Sequence, residues 1–453
     1  MNSMDQFIAK LMQAAKDAGI ESAEVCYAED DSFSAAAIEG SIDQYEVSAT
    51  RSLGMRGTVA GKMGYASTEA FDDAAIDMLV KAVKESAALN EAEEQDEIFA
   101  GEEYYPTLEI PESDLANVSA EEKLAFILEM EKVAKAVDKR IVKSQGAHIG
   151  TGRGLIRIVN SAGLDLCREA PVGGSAFAYM GLVGQEGNSV VTGLQIKAAH
   201  KFADLDAKAI GEAAAEETLS KLNASPVKSG VYRTVMRFDA MQSLLATFSG
   251  IFSAESAQQK LSLLAGREGE TIAAPCVTLM DDPLIAGGFG STPFDSEGSA
   301  ARTKAVIENG VLKTLLHNRK TAKKQGVTTT GNAARQGVGG PIRVAPTNLF
   351  FKPGDKDLDT LLSEMDDGLM ITELGGLHAG ANPISGDFSL IAKGYLITNG
   401  QRVRPVEQIT VAGNFYQLLK EIKAIGSDLE FRGRSIGSPS VDVGVLNVSG
   451  AEK

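Results

Sequence analysis

The stretch DDPLIAGGFGSTPFDSEGSAARTKAVIENGVLKTLLHNRKTAKKQGVTTTG, Asp281 to Gly331, decides how the rest of the chain is read. It follows an apolar run, CVTLM, that reads as a buried strand. Pro283 lacks a backbone donor and stops that strand just after Asp281 and Asp282. AGGFG is a loop in which glycine lets backbone come close to backbone or ligand. FDSEG follows, and the alternating VIENGVLKTLL reads as a hairpin turning at Asn309-Gly310. Acidic groups, a glycine loop and a hairpin are thus adjacent, which makes a candidate site. The competing reading is that these Asp residues only cap turns.

Upstream, residues 4–18 place Phe7, Ile8, Leu11, Met12 and Ala15 at helical spacing, with Gly19 as the stop. AEVCYA, FSAAAIEG, SIDQYEVSAT, SLGMRGTVAG and KMGYAST read as an antiparallel meander of short strands. A helix over 70–88 follows, with Phe71, Ala75, Met78, Leu79 and Val83 on its buried face. The run EAEEQDEIFAGEEYYPTLEIPESD, beginning at residue 91, holds ten acidic residues and no Lys or Arg, and reads as a linker or strap over 91–118. Ser119 and Glu122 form a capping box for a helix ending near Asp138. Short strands and a helix over 205–222 complete a second pass of helix, meander, helix. The fold class expected is α+β: a sheet-and-helix region whose repeated order suggests a structural duplication (1–90 and 119–224) and a strand-rich C-terminal domain (225–453). There, Met241, Leu244, Leu245 and Phe248 mark an amphipathic helix with Asp239 as its N-cap. GTGRG (150–154) and GGFG (287–290) lack the Lys-Ser/Thr of a phosphate loop and read as turns.

A chain of 453 residues can bury a large core in two or three domains. The net charge of −17 argues against a nucleic-acid partner, because phosphate binding wants a basic face. No apolar run is long enough for a membrane span, and no basic and apolar leader opens the sequence. Cys26, Cys167 and Cys276 are far apart, which fits a reducing compartment without disulfides; a cytoplasmic protein is expected. His148 and His200 stand alone and read as structural or surface residues. No G-x-S-x-G elbow supports a free-standing hydrolase. Asp281, Asp282, Asp295 and Glu297 could offer oxygen ligands to Mg²⁺ or Ca²⁺, but not at the spacing of a calcium loop.

The ordered motifs DDP, GGFGS, FDSEG, IENGVLKTLLHNRKTAKK and TTTGNA resemble the C-terminal domain of the TldD/PmbA family, also called modulator of DNA gyrase. ISGDFSLIAKGYLITNG and RPVEQITVAGN resemble its second hallmark region, and SLGMRGTVAGKMGYAST its first domain. The resemblance spans nearly the whole chain. It implies one of two kinds of subunit. The TldD-like kind carries His-Glu-x-x-x-His and a later Cys, a zinc site whose Glu deprotonates bound water. The PmbA/TldE-like kind lacks those ligands and pairs with the first, and the pair degrades or trims peptides in an internal cavity. Here the position of the metal motif, counted back from AGREGE, falls at Leu245, Ala246 and on to Gly250, without His, Glu or thiolate. FRGRSIGSPSVDVG has Ser and Gly where the Cys would stand, and His317 and His378 lie in other segments.

The resemblance therefore implies the zinc-free subunit: no catalytic residue and no cofactor in this chain, and zinc in a TldD-like partner. A homodimer in isolation is also compatible with the family. Gly287, Gly288, Phe289, Gly290, Asp295, Ser296 and Glu297 are the candidates for lining the peptide cavity, with strand addition as one mode of binding. The alternatives are that they only hold the domain's own turns, and that the protein is a non-enzymatic regulator.

Overall fold

The computed structural model describes residues 3–91, 96–171 and 173–451; positions 92–95 of the acidic run fall outside these. Helix α1 (Ser3–Asp17) buries Phe7, Ile8, Leu11 and Ala15, and Gly19 at φ +78° leads the chain out of it. Strands β1 (Ser22–Ile38), β2 (Ser41–Val59) and β3 (Lys62–Thr68) precede α2 (Asp73–Leu89), whose N-terminus is capped by Asp72. The capping box at Ser119 and Glu122 is formed and opens α3 (Ala120–Ala136). Then come β4 (Ile141–Asn160), β5 (Asp165–Glu169), β6 (Ser175–Glu186), β7 (Ser189–Ala199) and α4 (Ala207–Leu219).

Among the described residues these seven strands form one sheet of order β3-β2-β1-β4-β6-β7, with β5 on β4. The order is symmetric about the β1/β4 pair, so the two passes of helix, strands and helix lie edge to edge in one layer. Alternation along β1 assigns the faces. Val25 and Tyr27 pack under α1 and α2, and Phe33 and Ala35 pack under α3 and α4, on the same side. The residues between, Glu24, Cys26 and Ala28, turn to the opposite face and meet the C-terminal domain.

Several local expectations need correction. AEVCYA and FSAAAI are one strand of 17 residues, and SIDQYEVSAT continues into SLGMRGTV as one strand of 19. The polar EDDS between the first two is not a turn. It stays in register from Glu29↔Arg51 to Ser32↔Ser48, because backbone pairing needs no buried side chain. GTGRG is likewise strand, inside β4. Gly154 is required there by close approach, since a Cβ would sit 2.5 Å from the Glu29 carbonyl oxygen. Met78 faces solvent at 43% exposure rather than the core.

The C-terminal domain contains β8 (Gly230–Met236), α5 (Phe238–Phe248), α6 (Ala254–Gln258), β9 (Leu279–Asp281), β10 (Lys304–Glu308), β11 (Val311–Leu312) and α7 (Arg319–Gln325). It continues with β12 (Ala333–Arg335), β13 (Ile342–Val344), β14 (Leu349–Phe351), β15 (Gly368–Gly375), β16 (Asp387–Thr398), β17 (Gln401–Asn414), β18 (Ala424–Ile425), β19 (Ile436–Gly437) and β20 (Val441–Ser449). One sheet runs β17-β16-β15-β8-β20-β18, a second β11-β10-β9-β14-β19, and β12 pairs with β13. Asn309 and Gly310, at φ +49° and +84°, make the β10/β11 turn, the signs a type I′ hairpin requires.

Helix α5 joins the two larger sheets. Its Met241, Leu244, Leu245 and Phe248 are fully buried among Leu279, Val306 and Leu349 on one side and Leu369, Ile371 and Val411 on the other. Asp239 is not its N-cap. Arg237 holds that position, and Asp239 sits in the first turn, ion-paired to Arg237 at 2.5 Å.

Candidate functional site

The decisive stretch folds back on itself at the face the N-terminal sheet presents. Asp281, fully buried at the end of β9, accepts from the Thr347 N–H at 2.7 Å, the Asn332 amide at 2.7 Å and the Lys304 ammonium at 2.8 Å. Asp282 accepts from the Leu284 N–H at 2.9 Å and the Thr303 hydroxyl at 2.6 Å. Asp281 is therefore committed to donors of this chain on both oxygens and Asp282 on one, so Asp281 has little left to offer a hard cation. Among the described residues no three His, Cys, Asp or Glu side chains stand close enough to hold a metal ion.

The glycine loop is held from two directions. Asn348 accepts from the Gly290 N–H at 2.9 Å, and a Cβ at Gly290 would lie 2.3 Å from the Thr347 carbonyl oxygen. Gly287, at φ +67°, offers its carbonyl to His200 Nε2 at 2.8 Å, while His200 Nδ1 lies 2.6 Å from the Gly174 carbonyl. Both partners are backbone carbonyls, one facing each ring nitrogen. His200 is thus a bridge from the N-terminal sheet to the glycine loop. His148 lies against the sheet, stacked on Tyr179 with its Nε2 at 3.0 Å from the Ser34 hydroxyl.

The FDSEG turn is built around Asp295. Its carboxylate accepts from the Glu297 and Ser299 N–H groups, both at 2.9 Å, and from the Ala333 N–H at 3.1 Å. Ser296 in turn donates its N–H to the Ala333 carbonyl at 3.0 Å, so the Ala333 edge of β12 is closed to strand addition. Glu297 is 1% exposed and accepts from the Arg319 N–H at 2.8 Å. Burial pushes both carboxyls above the ordinary range, and the Asp295 charge pushes Glu297 further. Three backbone donors hold Asp295 back and one holds Glu297, so Glu297 keeps its proton more readily.

Beneath this turn lies a buried ion cluster. Glu24 on β1 accepts from Arg56 Nε on β2 at 2.7 Å and from Arg335 Nη2 on β12 at 2.7 Å. Glu24 and Arg56 side chains are fully buried, and Arg335 is 3% exposed. Burial works against the Glu24 carboxylate, but the two guanidiniums outweigh it and hold Glu24 below its usual range. The strap crosses the same turn: Tyr105 donates to the Gly298 carbonyl at 2.8 Å, and Glu102 accepts from the Ala300 N–H at 3.0 Å and Arg302 at 2.8 Å.

Between the N-terminal sheet and the turn lies a cavity of about 480 Å³. Of the seven residues singled out in the sequence, Phe289, Gly290, Asp295 and Ser296 line it, whereas Gly287, Gly288 and Glu297 do not. Its far wall is Cys26, Ile156, Ile158 and Arg168. Sequence reasoning missed Arg168, Arg335 and Cys26. Strand alternation could have placed Arg168 and Cys26 on one face, but nothing local pairs that face with Asp295. On α5, Leu245 is fully buried, Ala246 faces solvent, and Gly250 lies beyond the helix in the Ser249–Phe252 turn.

Comparison with known proteins gives the family. Residues 23–87 match the PmbA/TldA metallopeptidase domain 1, residues 113–222 the central domain and residues 229–450 the C-terminal domain. A metalloprotease PmbA homolog of Haemophilus influenzae is 26% identical over 450 residues, 98% of this chain and 96% of that protein. The metalloprotease PmbA of Escherichia coli O157:H7 is 28% identical over 328 residues, 71% of this chain and 69% of its own length. The crystal structure of a putative modulator of DNA gyrase from Thermotoga maritima superposes with a TM-score of 0.90 at 34% identity, covering 98% of this chain and all of that one, the latter at 100%. TldE from Thermococcus kodakarensis shares the fold with a TM-score of 0.87 at 23% identity, over 98% of this chain and 100% of its own. Among the described residues no helix is long and apolar enough to cross a membrane. The chain belongs to the PmbA/TldD family and has a role related to that family's metalloproteases.

Proposed function

We propose that this chain is the subunit without metal ligands in a two-chain zinc metallopeptidase of the cytoplasm. Its partner is a TldD-like homologue that carries His-Glu-x-x-x-His and the cysteine ligand, and the pair degrades or trims unfolded peptides. The observation that carries the reading is the chemistry of α5. Zinc takes imidazole, thiolate or carboxylate. At the position the family resemblance assigns to the metal helix this chain has Leu245 inside an apolar core, then Ala246 and Gly250, none of which has a donor atom in its side chain. His148, His200 and His317 are engaged elsewhere, with Ser34, with Gly174 and Gly287, and with Thr321. The residues present do not fit zinc, and no step of hydrolysis is assigned to them.

Within the pair, this chain's share is the shaped wall. Phe289, Gly290, Asp295 and Ser296 border a cavity with apolar and polar sides, the form a peptide side chain and terminus require. The test is zinc content and cleavage of an unstructured peptide by the chain alone, by the His-Glu-x-x-x-His homologue alone, and by the mixture. The reading expects no zinc and no cleavage for the chain alone, and faster cleavage by the mixture than by the homologue. Stoichiometric zinc in the lone chain, with cleavage abolished by a chelator, overturns it.

A further inference from the structure

We infer that the cavity beside Ser296 is a subsite for the C-terminal residue of a peptide, with the α-carboxylate on Arg168 and the side chain against Phe289 and Phe294. The inference deepens the peptide-handling reading and rests on it. Arg168 projects from β5 into the space between the N-terminal sheet and the FDSEG turn. Its Nη1 donates to the Glu169 carbonyl at 3.2 Å, its guanidinium lies 6.0 Å from the Phe294 ring, and its Nε is buried with no hydrogen-bond partner. Among the described residues no carboxylate pairs with it, whereas Arg56, Arg157, Arg237 and Arg335 each have one. Burial lowers its pKa, the mark of a cation held in poor solvent without a counter-charge.

A part-buried cation whose Nε is closed off from water and unpaired is costly, and a ligand carboxylate would supply both a counter-charge and an acceptor for that N–H. The guanidinium fork suits a carboxylate's two oxygens. Asp295 does not fill this role, because both its oxygens accept backbone N–H groups of Glu297, Ser299 and Ala333. The remaining walls include Ile156, Ile158, Phe289 and Phe294, which favour an apolar residue carrying the carboxylate over a bare inorganic anion.

The probe is a fluorescein-labelled alanine-leucine hexapeptide ending in leucine, prepared as the free acid and as the C-terminal amide. Its binding to the purified full chain is read by fluorescence anisotropy. The acid should bind about tenfold tighter than the amide, the worth of one charge-assisted contact. Arg168→Gln should erase that preference and Arg168→Lys should restore part of it, both with an unchanged circular dichroism spectrum. Equal binding of acid and amide to the unmodified chain overturns the subsite, and this arm decides even where a variant fails to fold. A preference that survives in Arg168→Gln overturns it too. Displacement of the acid peptide by inorganic phosphate at the peptide's own affinity would make this a bare-anion site and overturn the peptide terminus. Acceleration of the zinc homologue without acid preference sinks the subsite alone. Acid preference without acceleration sinks the partner-subunit reading alone.

Discussion

Glu24→Gln is the substitution that most directly tests how the two parts of the molecule are held together. Glu24 sits fully buried between Arg56 and Arg335, with bonds of 2.7 Å to each. The first partner is on its own sheet, opposite it in register, and the second comes from the C-terminal domain. Glutamine keeps the shape and an acceptor oxygen but removes the charge, leaving two guanidiniums facing each other in a dry site. Breaking a buried pair in this way costs about 3–5 kcal/mol, far above the roughly 0–1 kcal/mol of an exposed pair. Urea unfolding at pH 7 should show a loss of about 3 kcal/mol or more. Arg335→Met should cost less, because Arg56 retains two bonds to Glu24, at 2.7 and 3.2 Å. The double variant should lose less than the sum, since removing Arg335 also relieves the repulsion. The pH profile has a definite sign. The folded pKa of Glu24 is depressed below 4.5, so its stabilisation is complete above that value and is lost as pH falls through the folded pKa. Glu24→Gln should flatten this acid limb. A loss below about 1 kcal/mol, or additive single and double effects, would refute the argument.

Glu297 should behave in the opposite sense. Its folded pKa is raised above 4.5, so it stabilises the fold at low pH and that contribution fades as pH rises through the unfolded and then the folded value. Glu297→Gln should therefore unfold at a higher temperature than the natural chain at pH 9 and at a similar one at pH 4, read by calorimetry; a lower midpoint at pH 9 would count against the buried, proton-retaining carboxyl. Gly290→Ala forces a Cβ to within 2.3 Å of the Thr347 carbonyl oxygen and should cost about 1–3 kcal/mol in denaturant titration, with an unchanged midpoint as the contrary result. His200→Ala removes the bonds to Gly174 and Gly287, so limited proteolysis should cut the 283–291 loop faster, whereas an unaltered cutting rate would show that the bridge does not restrain it.

The sequence carried much of the candidate site, but only one side of it. Asp281 through Glu297 was legible as a structured turn because Asp, Gly and Pro have short-range conformational demands that show in the residues themselves. What these carboxylates do was not legible. Asp281 takes donors from residues as distant as Thr347, and Asp295 takes one from Ala333. Phe289, Gly290, Asp295 and Ser296 gain a cavity only because β1, β4 and β5 present Cys26, Ile156, Ile158 and Arg168 across from them. Strand length was misjudged for a related reason. Ladder bonds are made by backbone, so the polar Glu29–Ser32 and the glycines of GTGRG continue their strands with no side-chain signal.

By itself the sequence determined the four helices of the N-terminal region and α5, the Asn309-Gly310 hairpin, the capping box at Ser119 and the family, all of which rest on periodicity, turn chemistry and motifs read within short windows. Only the tertiary structure decided that two meanders share one sheet, that His200 bridges to the glycine loop, and that Arg168 has a buried Nε with no hydrogen-bond partner among the described residues. The physical reason is range. Propensity and patterning act over a few residues, whereas the pairing, burial and electrostatics of a site join groups that lie hundreds of residues apart in the chain and are neighbours only once it has folded.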